Sequence, residues 1–321
     1  GFKDQKEGAR RTMGSKITVF GSFVVDLMAR TPSLPRPAET VLGSMFKMGA
    51  GGKGFNQCVA AHKAGADVVM STKAGKDSFA EVALGTMREL GMPQDYMFTD
   101  EETATGIALI LVDENTAQNE IVIVSGACGT ITDEDIAVVR PRIEESEYLL
   151  LQLEVNQDAN EKVARLAKEA GVKVIINTAP YSPVTDEFLA GSYLVTPNEV
   201  EAEAMTGVPC TDLESCRKAA EVFRSKGVQN VLITLGGNGS FVSADGVEEI
   251  VPSFKVDAVD TTGAGDAYNG GLITALSEGK SLLEAARFAS ALAALEVQKI
   301  GTTPAMPTRE EIDAFLAEHA E

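Results

Sequence analysis

The sequence has no tryptophan, two histidines and four cysteines among its 321 residues. His62 and His319 are too few to build a histidine-based metal site or a catalytic triad. The cysteines form no C-x-x-C pair, so their spacing does not indicate a zinc site; they are Cys58, Cys128, Cys210 and Cys216. This sparing use of cysteine suits a reducing compartment, and we expect the protein to be cytoplasmic.

Long hydrophobic runs are also missing from the sequence. No apolar stretch approaches the ~20 residues needed to cross a bilayer, so we expect no membrane span. Residues 1–15 are polar and lack the apolar stretch of a secretory signal. We interpret them as an added, disordered leader that is not part of the fold.

Positive charge is scarce, because 28 Lys and Arg against 47 Asp and Glu leave a formal net charge of −19. A surplus of this size repels nucleic acids and anionic lipids, and we exclude both as main partners. Anionic ligands are expected only where local amides, a lysine or a metal ion reverse the field. Hydrophobic residues make up 44%, enough for a packed core rather than a disordered chain.

Short β-branched runs alternate with helical patterns from Lys16 onwards. Strands are predicted at 17–23, 67–72, 148–153, 172–177, 193–195 and 230–235, and helices at 55–64, 79–90, 158–170, 213–226, 264–277, 282–297 and 309–320. This alternation predicts an α/β fold in which helices cover both faces of a mostly parallel sheet. No linker stands out, so residues 16–321 are predicted to form one domain.

Two regions break the alternation. Residues from about 27 to 48 carry three prolines between short strands, and residues 105–124 show the alternation of a β-hairpin. No helix separates these strands, so they do not fit a βαβ unit. We expect them to pair into a small extra sheet that serves as a lid over a cleft or as a dimerisation surface.

A glycine-rich segment, Gly-Ala-Gly-Gly-Lys-Gly-Phe-Asn, occupies residues 49–56 between a strand-like run and a helix. Its glycines let a ligand approach the backbone, and the following helix directs free amides at the loop. Lys53 adds a positive charge and Asn56 a hydrogen-bonding amide. The segment also matches G-x-G-x-x-G, with Asp67 13 residues beyond Gly54, so dinucleotide binding and a purely structural turn are alternatives.

A second segment, Asp-Thr-Thr-Gly-Ala-Gly-Asp, occupies residues 260–266 directly before a long apolar helix. Its small residues let successive backbone amides face one point at the positive end of the helix, and such a nest stabilises an anion. Asp266 beside it is either a helix cap or a catalytic base. Phosphoryl transfer to an alcohol requires this pairing of an anion hole with a carboxylate.

Two weaker patterns follow predicted strands. Asn198 and Glu201 form N-x-x-E, which indicates either an N-terminal capping box or groups that face phosphate and Mg²⁺. Residues 234–239 end a strand with glycines and predict either a nucleotide contact or a hairpin turn. A Walker A loop is excluded, because Thr274 stands where the first glycine ahead of Gly279-Lys-Ser is required.

Together these motifs resemble the ribokinase (PfkB) family of sugar kinases over essentially all of residues 16–320. The segments at 51–56 and 260–266 carry the resemblance, and the stretches 231–236, 269–276 and 309–316 are also similar. The resemblance implies an αβα sandwich with a β-sheet lid that often forms a dimer contact. It also implies transfer of the γ-phosphoryl group of ATP to the terminal hydroxymethyl of a sugar, such as a pentose.

The resemblance further implies roles for individual residues. Asp266 would be the base, and the anion hole would consist of the amides of Gly263, Ala264 and Gly265. The sugar would be held by Asp26, Gly52, Lys53, Asn56 and Glu154 together with Asp266. The site for ATP and Mg²⁺ would comprise Asn198, Glu201, Thr234, Gly236 and Gly239, with Ser290 near the adenine. A monovalent cation, usually K⁺, would bind Asp260 and the backbone carbonyls of Thr262, Glu296, Lys299 and Gly301.

Three residues depart from the ribose-kinase pattern of the family. Val24 replaces an asparagine near the sugar, which favours a deoxy or otherwise altered sugar, and Cys128 is another change, at the pocket rim. Ala305 replaces a serine that would give the cation a side-chain oxygen, so K⁺ activation is less secure than the chemistry. The alternatives are therefore another PfkB-type kinase for deoxyribose, fructose or a related sugar, a nucleoside kinase, and, from another class, a nicotinamide-dependent oxidoreductase.

Overall fold

Apolar strands and amphipathic helices account for the architecture of residues 14–116 and 118–320, which the computed structural model describes. The leader inferred for residues 1–15 lies almost wholly outside the described residues. Ser15, which lies inside them, donates its backbone N–H to the carbonyl of Ser277 at 2.9 Å.

Strands alternate with helices along the chain, as the sequence pattern predicts. The strands of the described residues are β1 (Ile17–Phe20), β2 (Val24–Thr31), β3 (Met45–Gly51), β4 (Val68–Gly75), β5 (Met97–Asp100), β6 (Thr105–Asp113), β7 (Asn119–Gly126), β8 (Tyr148–Leu151), β9 (Lys173–Ile176), β10 (Leu194–Val195), β11 (Asn230–Thr234), β12 (Ser240–Ala244) and β13 (Val247–Val251). The α-helices are α1 (Lys53–Lys63), α2 (Ala80–Leu90), α3 (Asp133–Glu144), α4 (Gln157–Glu169), α5 (Asp186–Leu189), α6 (Glu199–Thr206), α7 (Leu213–Ser225), α8 (Ala264–Ser277), α9 (Leu282–Glu296) and α10 (Arg309–Glu318).

The main sheet of the described residues has nine strands in the order β13-β12-β11-β10-β9-β8-β1-β4-β5. Neighbours from β11 to β5 are parallel, and β12 and β13 add an antiparallel edge. Because parallel strands end at one edge of the sheet, polar residues that follow them are brought close together there.

Helices cover both faces of this sheet because its strands are apolar on both sides. Tyr148 and Leu150 point into a buried cluster with apolar residues of α1, α8, α9 and α10. Leu149 and Leu151 point the other way, into a cluster with residues of α3, α4 and α7. This period of two along β8 gives the three layers of an αβα sandwich.

The second sheet of the described residues has four strands in the order β3-β2-β6-β7. Its central pair is parallel and its two outer pairs are antiparallel. These strands include the two regions whose patterns break the alternation. The predicted fold class, an α/β sandwich with a small additional sheet, is therefore confirmed.

The structure also differs from the sequence-based prediction in places. The strand predicted at 17–23 ends at Phe20, because residues 21–23 cross from the main sheet to β2 of the second sheet. Helix α3 contains Pro141 and was not predicted; its N-terminus is stabilised by a capping box between Thr132 and Asp135. No helix among residues 14–116 and 118–320 is long and apolar enough to span a membrane.

Candidate active site

The two glycine-rich motifs meet at the N-termini of α1 and α8. Gly51 ends β3 and Gly52 turns the chain into α1, while Asp266 lies in the first turn of α8. Asn56 on α1 donates its side-chain Nδ2–H to Asp266 Oδ2 at 3.0 Å. Residues 51–56 and 263–266 therefore border the same site, although more than 200 residues separate them.

Asp266 is a buried carboxylate, with 7% of its surface exposed. Burial raises its pKa above the ordinary value, while the positive charge of Lys53 and the amides of Asn56 and Gln57 act in the opposite direction. In return, the negative charge of Asp266 raises the pKa of Lys53, which keeps that ammonium protonated. The site thus holds a carboxylate that is more basic than one in water, beside a fixed cation.

Glu154 is held against the same turn. Its Oε1 accepts hydrogen bonds from the backbone N–H of Lys53 at 2.8 Å and from Ser22 Oγ at 2.7 Å. These contacts connect the end of β8 with the start of α1, so three of the residues predicted to hold a sugar (Glu154, Lys53 and Asn56) surround one small region.

Asp26 on β2 completes this acidic group. Burial, then the charges of Glu154 and Asp266, raise its pKa to about 7. A Cβ atom at Gly51 would lie 2.3 Å from Asp26 Oδ1, so glycine at 51 is what allows β3 to pass this carboxylate. Asp26 is therefore placed by the second sheet, whereas Glu154 and Asp266 are placed by the main sheet and its helices.

A buried amide network supports Asp266 and was missed by the sequence analysis. Gln57 Nε2 donates to Asp266 Oδ1 at 3.1 Å and to Asn177 Oδ1 at 3.0 Å. The network continues from Asn177 to Thr196, from Thr196 Oγ1 to Asn269 Oδ1 at 2.7 Å, and from Asn269 Nδ2 to the Gly265 carbonyl at 2.8 Å. Both oxygens of Asp266 therefore accept a hydrogen bond from α1, and Gly265 in the same turn is tied to the same network.

A cavity of about 620 Å³ lies at the ends of β9, β10 and β11, in front of α8. Its lining includes Lys53, Asp266 and the segment Gly263–Gly265. The residues predicted to bind ATP and Mg²⁺ also line it, and they are Asn198, Glu201, Thr234, Gly236, Gly239 and Ser290. Four residues predicted to bind the sugar do not line this cavity, and they are Asp26, Gly52, Asn56 and Glu154.

The weaker motifs form a capping box and a hairpin turn, and both border the cavity. Asn198 caps α6 and forms a capping box with Glu201, in which the Glu201 N–H donates to Asn198 Oδ1 at 2.7 Å. The same two side chains border the cavity, where burial raises the pKa of Glu201. Residues 234–239 form a hairpin turn between antiparallel strands β11 and β12, and this turn also reaches the cavity.

The segments predicted to hold a monovalent cation are adjacent. Asp260 accepts backbone N–H groups from Thr262 and Gly301, both at 2.9 Å. Burial acts to raise the pKa of Asp260, but these N–H groups hold it below the ordinary value. The Lys299 side chain is directed elsewhere, to Glu311 at 3.5 Å.

Glu296 is buried at the end of α9, where burial, then the charges of Asp260 and Asp266, raise its pKa to about 9. Among the residues that the structure describes, no group of three or more His, Cys, Asp or Glu side chains is arranged to hold a metal ion.

Two residues that depart from the family pattern are buried. Val24 is 3% exposed and Cys128 is fully buried, and both pack with Ala108. Burial raises the pKa of the Cys128 thiol to about 12, and its Sγ donates to the Ser125 carbonyl at 2.9 Å. Cys128 is therefore a buried residue near Glu154, whose charge also acts on its thiol.

The chain is similar to known proteins over most of its length. The model of the pfkB family carbohydrate kinases matches residues 15–309. The chain belongs to this family. It is a carbohydrate kinase, which is a phosphotransferase that uses an alcohol group as acceptor, and it binds ATP.

Several relatives are similar over nearly the whole chain. A ribokinase of Haemophilus influenzae is 41% identical over 96% of this chain and all of its own length. A deoxyribokinase of Salmonella typhi is 34% identical over 94% of this chain and 98% of its own. The structure of an Arabidopsis thaliana ribokinase in complex with ribose and ATP superimposes with a TM-score of 0.87 at 30% identity, covering 95% of this chain and 99% of that one.

The raised pKa of Asp26 predicts a pH-dependent stability. The folded protein keeps this proton up to a pH of about 7, whereas the unfolded chain loses it near 3.8, so Asp26 destabilises the fold increasingly as pH rises between these values. We expect Asp26→Asn to be more stable than the natural protein by ~1–3 kcal/mol at pH 8, after allowance for solvent screening, and about equally stable at pH 4. Urea denaturation at the two pH values measures this difference.

The matched control is Asp257→Asn, which removes an exposed carboxylate. Its effect on stability should be small at both pH values. A stabilisation by Asp26→Asn that is the same at pH 4 and pH 8 would contradict the assigned pKa.

Proposed function

We propose that this kinase transfers the γ-phosphoryl group of ATP to the terminal hydroxymethyl group of ribose. The observation that carries the proposal is the hydrogen bond between Asn56 and Asp266. It brings the segment proposed to hold the sugar to the carboxylate that begins α8, at the border of a cavity large enough for a nucleotide. The similarity to ribokinases over the whole chain supports ribose as the acceptor.

Asp266 is proposed as the base that orients the hydroxyl and accepts its proton. Its raised pKa makes it a stronger base than a carboxylate in water, and such tuning toward neutral pH is typical of general bases. The proton leaves late because phosphoryl transfer is loose. The backbone amides of Gly263, Ala264 and Gly265, at the positive end of α8, are proposed to stabilise the charge on the transferring group.

The sugar hydroxyls are proposed to be held by Asp26, Gly52, Lys53, Asn56 and Glu154. Asp26 comes from the second sheet, so movement of that sheet relative to the main domain would open and close the site. Closure over the sugar would exclude water and suppress hydrolysis of ATP.

ATP is proposed to occupy the cavity in front of α8, with its phosphates near Asn198 and Glu201 and its adenine near Ser290. The residues fit Mg²⁺, because Glu201 is a half-buried carboxylate whose raised pKa a divalent cation would lower. When bound, Mg²⁺ would neutralise phosphate charge. Lys53, which borders both the sugar region and this cavity, adds a second positive charge beside the phosphates.

A monovalent cation such as K⁺ is proposed next to the anion hole. The segments that would supply its ligands are in contact, since Gly301 donates its N–H to Asp260. The proposed ligands are Asp260 and the carbonyls of Thr262, Glu296, Lys299 and Gly301. The cytoplasm is the proposed location, in keeping with four cysteines that are all free.

Deoxyribose is the second candidate acceptor. Val24, Ala108 and Cys128 form a small apolar cluster in which no side chain is suited to bind a sugar hydroxyl. A site that lacks such a partner discriminates weakly in favour of the hydroxyl. The similarity to deoxyribokinases is compatible with this alternative.

A substrate panel tests the acceptor. We expect release of ADP, measured by a coupled assay, to be fastest with ribose, slower with 2-deoxyribose and fructose, and slowest with nucleosides. Running every arm with K⁺ and with tetramethylammonium tests the cation requirement at the same time. A higher kcat/KM for deoxyribose would establish the second candidate, and activity with nucleosides alone would overturn both.

The role of Asp266 predicts a large kinetic effect with little effect on binding. We expect Asp266→Asn to lower kcat by ~10²- to 10⁴-fold, because the amide cannot accept the proton. The dissociation constant for ribose, measured by calorimetry, should change little, because Asn keeps a hydrogen-bonding side chain of the same size. Asp257→Asn is the control, and near-normal turnover of Asp266→Asn would refute the assignment.

Gln57 is proposed as a positioning residue that acts through Asp266. Its amide lowers the pKa of Asp266, so Gln57→Met should raise that pKa and move the acidic limb of the pH–kcat profile upward by ~0.5–1 pH unit. Gln94→Met, which changes a glutamine bonded to the Leu84 carbonyl, is the control. A purely structural role would lower activity equally at every pH and leave the limb in place.

The second sheet is also proposed as a homodimer contact. Met48, Leu27, Leu109 and Val122 lie side by side across its four strands, and three of them are 45–59% exposed. A row of exposed apolar side chains of this kind favours burial against a second copy.

We expect Val122→Glu to convert a dimer into a monomer of 33.8 kDa, as measured by analytical ultracentrifugation. Val138→Glu places the same charge at a 55% exposed valine on α3, away from the sheet, and should leave the dimer intact. A natural protein that is monomeric at micromolar concentration would contradict the proposed contact.

A further inference from the structure

In the part of the chain that the structure describes, Glu296 is an unpartnered carboxyl group at the end of α9. The residue has no exposed surface, and neither of its carboxylate oxygens has a hydrogen-bond partner among the described residues. A carboxylate isolated in this way is costly to bury, and proteins normally pair it or place it against a metal ion. Its partner is therefore missing from the protein's own described groups.

The carboxylate faces the turn that begins α8. A Cβ atom built on Gly263 would lie 3.1 Å from Glu296 Oε1, so this oxygen is next to the proposed anion hole. The charges of Asp260 and Asp266 are close enough to act on Glu296. The Glu296 carboxyl group therefore lies next to the Gly263 turn, where the negative charge of other residues acts on it.

The basic groups near this region do not neutralise Glu296. Lys299 pairs with Glu311, and Lys53 interacts with Asp266, Glu154 and Glu201. Lys47 approaches Gly301 and acts on Asp260. No ion pair to Glu296 occurs among residues 14–116 and 118–320.

We propose that the Glu296 side chain is a direct ligand of a metal cation bound between the Gly263 turn and the segment 296–301. The family resemblance assigns to position 296 only its backbone carbonyl, and it leaves the cation without a side-chain oxygen at Ala305. The Glu296 carboxylate supplies such an oxygen from the other end of the segment. Asp260 adds a second carboxylate, and oxygen ligands of this kind suit alkali and alkaline-earth ions.

This ligand gives the cation a role in charge balance. With the ion bound, the carboxylates beneath the turn no longer oppose an incoming phosphate at the amides of Gly263–Gly265. The inference rests on the cation site proposed above. It concerns binding alone, so it is tested without sugar or ATP, and its failure would leave the proposed kinase reaction standing.

The experiment measures cation-induced stabilisation of the full chain. The protein is first dialysed with a chelator into tetramethylammonium chloride at pH 8. K⁺, Na⁺, Mg²⁺ and Ca²⁺ are then titrated separately at constant ionic strength while the melting temperature is recorded. We expect at least one ion to raise the melting temperature by ~5 °C at about 100-fold excess over its dissociation constant. The four arms identify which ion it is.

Glu296→Gln and Glu296→Ala test the ligand. Both variants should lose most of the ion-induced rise. Glu296→Gln should melt at or above the temperature of the ion-free natural protein, because it removes an acid that folding holds protonated in a buried place. Glu296→Ala leaves a cavity and should melt at a lower temperature. Calorimetry with the same ion should show at least a 10-fold weaker affinity. Glu310→Gln, which removes an exposed carboxylate nearby, should respond like the natural protein.

Two outcomes would overturn the proposal. In one, none of the four ions stabilises the natural protein, which would mean that Glu296 is simply protonated. In the other, Glu296→Gln keeps the full ion-induced rise, which would place the ion on backbone carbonyls and Asp260 without the Glu296 side chain.

Discussion

The arrangement of the site depends on the buried carboxylate of Asp266, which belongs to one glycine-rich motif and contacts the other. Asp266 is desolvated, and both of its oxygens accept hydrogen bonds from amides on α1. Such a group is tolerated only where donors and positive charge surround it, so α1, Lys53 and the N-terminus of α8 must all be in place for the chain to fold around it. The requirement brings together two motifs that are 210 residues apart in the sequence. It also explains why the network behind Asp266 consists of amides, which are neutral and can donate hydrogen bonds without adding further charge.

The site is rich in acidic residues, like the chain as a whole. Asp26, Glu154 and Glu296 lie near Asp266, while Lys53 is the cation in direct electrostatic contact with it. Burial and mutual repulsion raise the pKa of Asp26 to about 7 and that of Glu296 to about 9. These groups destabilise the folded protein at neutral pH. Unfavourable charge interactions of this kind are characteristic of functional sites. There the binding of a ligand compensates for them.

Local sequence patterns predicted the elements well because periodicity and caps are local properties. The helix predicted at 264–277 has those bounds, and α1 starts at Lys53, two residues before the predicted start. The predicted capping box at Asn198 is present, yet the same side chains line the cavity. A local pattern therefore does not separate a structural role from a functional one, since one residue can have both. Helix α3 was missed because Pro141 interrupts its pattern.

The rest of the site depends on contacts that no local pattern contains. Gln57, Asn177 and Asn269 lie on separate elements, and their network exists only once the sheet and both helices are assembled. The one available signal was polar side chains at positions where periodicity predicts burial, such as Gln57 on the inner side of α1. Val24 and Cys128 show the same limit, because the family pattern indicated only that they differ near the sugar and at the pocket rim, whereas the structure shows that both pack with Ala108 in a small apolar cluster.

Residue-by-residue transfer from a family also treats each position as independent. At position 305 this transfer shows that a side-chain oxygen is missing. At position 296 it considers only the backbone carbonyl, which any amino acid supplies. The side chain at 296 therefore has no weight in that comparison, although it is a charged group in a buried place. In the folded chain the Glu296 carboxyl group lies next to the Gly263 turn, where the proposed cation would bind, so its side chain would supply an oxygen that Ala305 cannot. Under the proposal, the side-chain oxygen at 296 compensates for the one missing at 305, and only the three-dimensional arrangement shows that residue 296 is placed to supply it.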